Sequence, residues 1–173
     1  LLNQDRPQRV EHVLMRYGGD DFIGSQSSSY REDDAMLRIE SSQVSVANST
    51  FEHSSQPPIR VLNATVDLTA NIIRHSATGV VLQGTGSQPN RSQLTGNTFS
   101  QLSYPLQQHD YSFPVLSGNT FSDNANQVIR ITGSFNAAAS RQERWPKQSL
   151  PYLLSGGIGI GDKISLQLDA GLV

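Results

Sequence analysis

One short phrase recurs four times between Val44 and Phe121, and this repeat limits the fold more than any other feature of the chain. The copies read VSVANSTF at 44–51, VDLTANII at 66–73, SQLTGNTF at 92–99 and PVLSGNTF at 114–121. Successive copies are separated by 22, 26 and 22 residues. Self-similarity at such a period is typical of solenoids, in which one structural unit stacks on the next.

Apolar and small polar residues alternate within each copy, which predicts β-strands. One copy holds too few apolar side chains to bury a face alone. Stacking of successive turns, at about 4.8 Å per step, would build a continuous core. The third and the last places of the phrase should then form two apolar columns. The predicted core stack consists of Val46, Leu68, Leu94, Leu116, Phe51, Ile73, Phe99 and Phe121.

The sixth place of the phrase is Ser49 in the first copy and asparagine in the other three: Asn71, Asn97 and Asn119. Asparagine tolerates left-handed backbone and bonds locally, so it suits a bend between strands. Amide side chains stacked in register also bond to one another. The sequence therefore predicts an asparagine ladder; the alternative is three ordinary turn residues.

A second set of short apolar stretches recurs with a similar period, from Leu37–Ile39 to Tyr152–Leu154. Side chains alternate across a strand, so the middle residue of each stretch should point outward. The predicted outward column consists of Arg38, Arg60, Val81, Gln107 and Ile129.

The phrases LTGNTF at 94–99 and LSGNTF at 116–121 resemble repeats of the right-handed parallel β-helix, the pectate-lyase-like fold. HVLMRYGG at 12–19, and WPKQSLPY at 145–152 with the strand-like stretch at 158–171, resemble flanking segments of such helices in large secreted and surface proteins of bacteria. The resemblance implies an all-β fold: one right-handed parallel β-helix domain over residues 1–173, with about six to seven turns. Surface loop insertions are expected at 18–35 and 136–150.

Composition limits the partners. A net charge of −2 and a pI near 6.1 argue against a nucleic-acid footprint. The absence of cysteine excludes disulfides and thiolate chemistry. No apolar run approaches the length of a membrane span. Glycans are conceivable partners in a glycosylating host, because Asn48, Asn63 and Asn90 each begin an N-x-S/T triplet.

No cofactor is expected, apart from calcium at the first insertion. Two acidic pairs there, Asp20 with Asp21 and Asp33 with Asp34, could supply carboxylates to a calcium ion. The insertion lacks the D-x-D-x-D-G pattern, so a solvated acidic loop is the alternative.

Two histidines, His53 and His75, are 22 residues apart and should stack in one column, followed by Gln101 and Asp123. A metal or acid–base role is one reading. The alternative is that a solenoid places many like side chains in register without function. Glu52 and Arg74 should form an exposed ion pair of under about 1 kcal/mol. His12 and His109 have no evident companions, and the chain shows no nucleophile motif, phosphate loop or zinc spacing.

We therefore expect a non-catalytic structural module of an extracellular or cell-surface assembly, such as a filament, a sheath or an adhesin. The alternative is a carbohydrate-binding or carbohydrate-active β-helix, because the fold carries lyases and epimerases as well as scaffolds. An acidic cluster on an outward sheet face would favour the alternative, and the sequence shows none.

The chain shows no capping element, which predicts head-to-tail stacking into a homo-oligomer or filament. The alternative is that flanks of a longer chain supply further turns. The candidate subunit contact is formed by Ile164, Leu166, Leu168, Leu172 and Val173.

Overall fold

A computed structural model describes residues 8–18, 35–40, 43–135 and 140–169. Within these ranges the regular structure consists of 18 short β-strands. In chain order they are β1 Gln8–Glu11, β2 Leu14–Arg16, β3 Leu37–Glu40, β4 Gln43–Ala47, β5 Thr50–Ser54, β6 Ile59–Leu62, β7 Thr65–Thr69, β8 Ile72–Gln83, β9 Gln93–Thr95, β10 Thr98–His109, β11 Val115–Ser117, β12 Thr120–Ser122, β13 Ile129–Thr132, β14 Ser134–Phe135, β15 Arg141–Trp145, β16 Tyr152–Leu154, β17 Gly159–Ile160 and β18 Ile164–Leu168.

The first sheet contains one strand from each regular turn, in the order β1-β4-β7-β9-β11. All its pairs are parallel, and Val46, Leu68, Leu94 and Leu116 lie opposite one another. Its five strands correspond to about five regular turns rather than six to seven. The difference arises because β14 and β15 leave this sheet and pair separately, with β17 and β18.

The second sheet follows the path β16-β13-β10-β8-β5-β2, with β3, β6 and β12 attached to it. Two of its strands, β8 and β10, run for 12 residues each. They join sections that are separate strands in the neighbouring turns, such as β5 and β6. Parallel pairing throughout confirms the predicted all-β solenoid.

The last residues of the repeated phrase form a continuous column in the second sheet. Phe51 lies opposite Ile73, Ile73 opposite Phe99, and Phe99 opposite Phe121. The first three are 0% exposed. Phe121 and Leu116 are only half-buried, because β12 and β11 have a described strand on one side alone.

The outward column differs from the prediction at three positions. Arg130, and not Ile129, lies opposite Gln107, so Ile129 faces the core and is 0% exposed. Arg60 and Val81 occupy their predicted places but are 9% and 2% exposed. A side chain that points away from the core is still buried where the outer face of the sheet is covered.

The insertion predicted at 136–150 contains a regular strand, so the prediction of a surface loop is wrong there. Arg141–Trp145 forms β15, which pairs in parallel with β18. Trp145 and Leu150 are 3% and 7% exposed. The charges in this stretch hid the strand, since alternate residues face the core. Residues 19–34 of the other predicted insertion, with all four calcium candidates, lie outside the described residues.

Every regular turn bends at the same two places, and both bends use positive φ. Left-handed backbone is uncommon outside glycine and costs conformational energy. The first corner column consists of His12, Asn48, Ala70, Gly96 and Gly118. The second corner column, with φ of 54–56°, consists of Tyr17, His53, His75, Gln101 and Asp123. In the described part of the chain, no helix has the length and apolar character of a membrane span.

Candidate functional site

Next to the first corner column, the three asparagines form a hydrogen-bonded ladder. The main-chain N–H of Asn71 donates to Asn97 Oδ1 at 2.9 Å, and that of Asn97 to Asn119 Oδ1 at 2.9 Å. The Nδ2 groups of Asn71 and Asn97 donate to the same oxygens at 3.0 Å. Each Nδ2 also reaches a main-chain oxygen of the preceding turn at 2.7–2.8 Å. Ser49 begins the ladder by donating its N–H to Asn71 Oδ1 at 3.0 Å.

Before the second corner, a buried carboxylate bridges two arginines. The side chain of Glu52 is 2% exposed and contacts Arg16 on one side and Arg74 on the other. Arg74 Nε donates to Glu52 Oε2 at 2.6 Å. The hydrogen bond from Arg74, together with the one from Arg16, holds the pKa of Glu52 below its usual value although burial raises it. The sequence predicted an exposed ion pair between Glu52 and Arg74. The structure instead shows a half-buried group of three side chains, Arg16, Glu52 and Arg74.

Aromatic rings stack along the second corner column. The ring centroids of His53 and His75 are 4.5 Å apart at an interplanar angle of 4°, and those of Tyr17 and His53 are 5.2 Å apart. Ring nitrogens of parallel, stacked imidazoles point in parallel directions, so they do not converge on one metal ion. No cluster of three or more metal-ligating side chains occurs within the described ranges.

The second corner column borders a shallow groove of about 840 Å³. Six of its eleven lining residues carry a hydroxyl or an amide. The lining residues are Ser54, Ser55, His75, Ser76, Ala77, Gln101, Leu102, Ser103, Asp123, Asn124 and Ala125.

Several polar groups of the groove are already used within the fold. The N–H of Ser54 donates to Ser76 Oγ at 3.2 Å, and that of Leu102 donates to Asn124 Oδ1 at 3.0 Å. His75 and Asp123 are separated by the turn of Gln101, which means about 10 Å at the spacing of parallel strands. The only imidazole and the only carboxylate of the groove lining therefore lie beyond direct hydrogen-bond reach of each other.

His109, which looked isolated in the sequence, has two partners. Its Nδ1 lies 2.6 Å from Thr132 Oγ1, and its Nε2 contacts Gln107 Nε2. Gln107 precedes it by two residues on the same strand face, and Thr132 is its neighbour in β13. The i, i+2 spacing was visible in the sequence, but the neighbour in β13 required the register of the pairing.

A second buried carboxylate, Glu143 on β15, was also missed. Arg91 Nη2 lies 2.7 Å from Glu143 Oε2, and the Glu143 side chain is 3% exposed. The guanidinium of Arg91 also lies 5.5 Å above the ring of Phe113. The two partners are 52 positions apart in the sequence, and no sequence pattern connects them.

The residues of the predicted subunit contact differ in burial. Ile164 is 9% exposed and belongs to the core of its own chain, because β18 pairs with β15. It is therefore a poor contact residue. Leu166 is half-buried and Leu168 is 55% exposed, while Leu172 and Val173 lie outside the described residues. Of the three sequon asparagines, Asn90 is 0% exposed, so a folded chain cannot accept a glycan there.

The comparisons with known proteins identify the architecture. A protein-family model described as "Right handed beta helix region" matches residues 13–142, well over half of the chain. No curated protein and no solved structure matches the chain.

Proposed function

The chain belongs to the family of right-handed β-helix proteins, and on this premise we propose that it is a non-catalytic structural module of an extracellular or cell-surface assembly. The assembly would be a filament, a sheath or an adhesin. The fold alone is compatible with both enzymes and scaffolds.

The direction of the polar contacts supports a structural role. The asparagine ladder, the group around Glu52 and the stacked histidines each link one turn to the next along the axis. Catalytic groups, in contrast, have to converge on one point beside a substrate. Side chains that bond one turn to the next stiffen the solenoid, and a stiff solenoid suits a structural module.

Location is the first test of this proposal. Protease treatment of intact source cells should cleave the protein, whereas a cytosolic marker stays intact. Protection of the protein until the cells are lysed would contradict a surface role.

Assembly is the second test. Electron microscopy and light scattering of the purified chain should show concentration-dependent end-to-end association. Leu168→Lys, which alters an exposed leucine, should weaken it, and Thr95→Lys, at an exposed position on the internal strand β9, should serve as the control. Particles that stay monomeric at millimolar concentration would contradict self-assembly.

A carbohydrate-binding function is the second candidate, and the surface beside the groove favours it. Tyr17 is 75% exposed and stacks on His53, so an open aromatic face continues the column that borders the hydroxyl-rich lining. Binding on a glycan array should then fall with Tyr17→Ala but not with Leu14→Ala, an exposed control on β2.

An assay for product formation distinguishes carbohydrate binding from catalysis. We expect no product from acidic glycans such as pectin or alginate. A product formed by the wild type and lost in both His75→Ala and Asp123→Asn would assign catalysis to the groove instead.

A further inference from the structure

Strand β12 has an edge with no described strand beside it. β12 pairs with β10, and no other described strand pairs with it. The edge of the adjoining β11 is occupied by a side chain: Leu116 N–H donates to Gln148 Oε1 at 3.3 Å, and Gln148 Nε2 donates to Pro114 O at 3.0 Å. The amide of Gln148 thus takes the place of a neighbouring strand. The chain then reaches Tyr152 of β16 without a strand beside β12.

The asparagine ladder ends unsatisfied at this edge. The main-chain N–H groups of Asn71 and Asn97 each donate to the amide oxygen of the next turn, whereas that of Asn119 donates to no described residue. Gly96 N–H donates to Ser117 O at 2.9 Å, but Gly118 N–H has no such acceptor among the described residues. Two adjacent N–H groups therefore point along the axis towards a missing turn.

The same edge exposes part of the apolar column. Phe121 stacks on Phe99 at 5.1 Å and is only half-buried, so part of its side chain remains accessible. Native proteins protect open edges with very short strands, charged side chains, proline or bulges. Strand β12 is short, at three residues. Thr120, Phe121 and Ser122 include no charge and no proline.

We propose that the β12 edge binds an extended segment of a partner chain in parallel, by β-augmentation. The segment repeats the phrase of this chain. An asparagine beside Asn119 accepts its N–H, a main-chain oxygen accepts the N–H of Gly118, and an aromatic or aliphatic side chain covers Phe121. This mode of recognition combines main-chain hydrogen bonds with pockets for alternate side chains.

A second copy of this chain fits the edge less well. Its first turn carries Met15 in the column of Phe51 and Val13 in the column of Ser49. Met15 would cover Phe121, but Val13 has no side-chain oxygen for Asn119. An unpaired N–H buried at the contact would weaken such a complex.

The test uses a fluorescent synthetic peptide with the sequence of residues 112–124. Fluorescence anisotropy should show saturable binding to the full chain. The peptide with Asn119→Val should bind at least about tenfold more weakly, because it lacks the acceptor. In the protein, Thr120→Lys should weaken binding by at least about tenfold, whereas the exposed control Thr95→Lys on the internal strand β9 leaves it unchanged.

Hydrogen exchange identifies where the peptide binds on the protein. On binding of the peptide, the amide protons of Gly118, Asn119 and Phe121 should exchange more slowly, and those of β1 should not change. Absence of saturable binding, equal binding of both peptides, or protection elsewhere overturns the proposal. Self-association of the chain that Thr120→Lys abolishes, without binding of the peptide, would make a second copy the occupant and also overturn it.

Discussion

Single residues depend on the neighbours that lie on both sides of them along the axis. Phe99 lies between Ile73 and Phe121 and is 0% exposed, whereas Phe121 has a described neighbour on one side only. The repeat predicted this column because its members share one place in the phrase. It did not predict Arg16 beside Glu52, since the two are 36 positions apart and the predicted insertion lies between them.

Truncation of Phe99 should reveal this two-sided burial. Phe99→Ala is expected to lower the free energy of unfolding by about 3–5 kcal/mol, the usual cost for a buried aromatic. Phe121→Ala should cost clearly less. Urea unfolding measures both, with Phe99→Leu as the conservative control, and equal losses at the two positions would contradict the asymmetry.

The bridge at Glu52 predicts a pH dependence of stability. The pKa of Glu52 is lower in the folded chain than its usual 4.5, mainly because Arg74 donates to it. The stabilisation is therefore complete above about pH 4.5 and is lost as the pH falls through the folded pKa. Glu52→Gln should lower the melting temperature at pH 7, and the gap to the wild type should narrow as the pH falls below about 4.5.

Glu40→Gln is the control for this pH effect. It alters the exposed pair with Arg38, whose two side chains are 40% and 50% exposed, and exposed pairs contribute little. A gap for Glu52→Gln that does not change with pH would show that the carboxylate charge is unimportant.

Elements of the regular turns followed directly from the period of the sequence. Strands β4, β7, β9 and β11 coincide with the four copies of the phrase, and the spacing of asparagines specified a ladder. Strand β15 could not be found in this way. Its arginines and Glu143 suggest a solvent-exposed loop, and the ion pair with Arg91, which lies on an earlier turn, compensates the burial of that carboxylate.

Substitution of the central asparagine of the ladder should destabilise the protein most. Asn97 is 0% exposed, and its amide bonds both neighbouring rungs and Leu68 O. Asn97→Ala should cost about 2–4 kcal/mol, since each orphaned buried group costs about 1–3 kcal/mol. Chemical denaturation should rank Asn97→Ala above Asn119→Ala, and both above Asn126→Ala, which loses one exposed bond. A reversed order would contradict the ladder as a stabilising element.

At the scale of the whole molecule, stability is expected to vary along the axis. In a solenoid each turn contacts only its neighbours, so terminal turns open more easily than central ones. Hydrogen exchange should be slowest in β7, β8 and β10 and faster in β1, β11 and β12. Uniform protection across these strands would indicate one cooperative unit instead.

The global pattern was only partly visible in the sequence. The sequence analysis overestimated the number of regular turns. The last turns still add strands to the second sheet at the regular spacing, but their other strands no longer pair with the first sheet. The open edge of β12 also has no sequence signature, because it depends on the short path from Gln148 to Tyr152.

The asparagine ladder has a polarity: from Ser49 to Asn97, the main-chain N–H of each rung donates to the side-chain oxygen of the next turn. A copied turn of 22 residues, inserted between Asn71 and Asn119, would present the same acceptors to the turn before it and the same donors to the turn after it. The gene of such a protein can therefore gain length by in-frame tandem duplication, without any compensating substitution at the new junctions. Partial duplications that break the period would leave both flanking rungs unpaired, so length should evolve in whole turns.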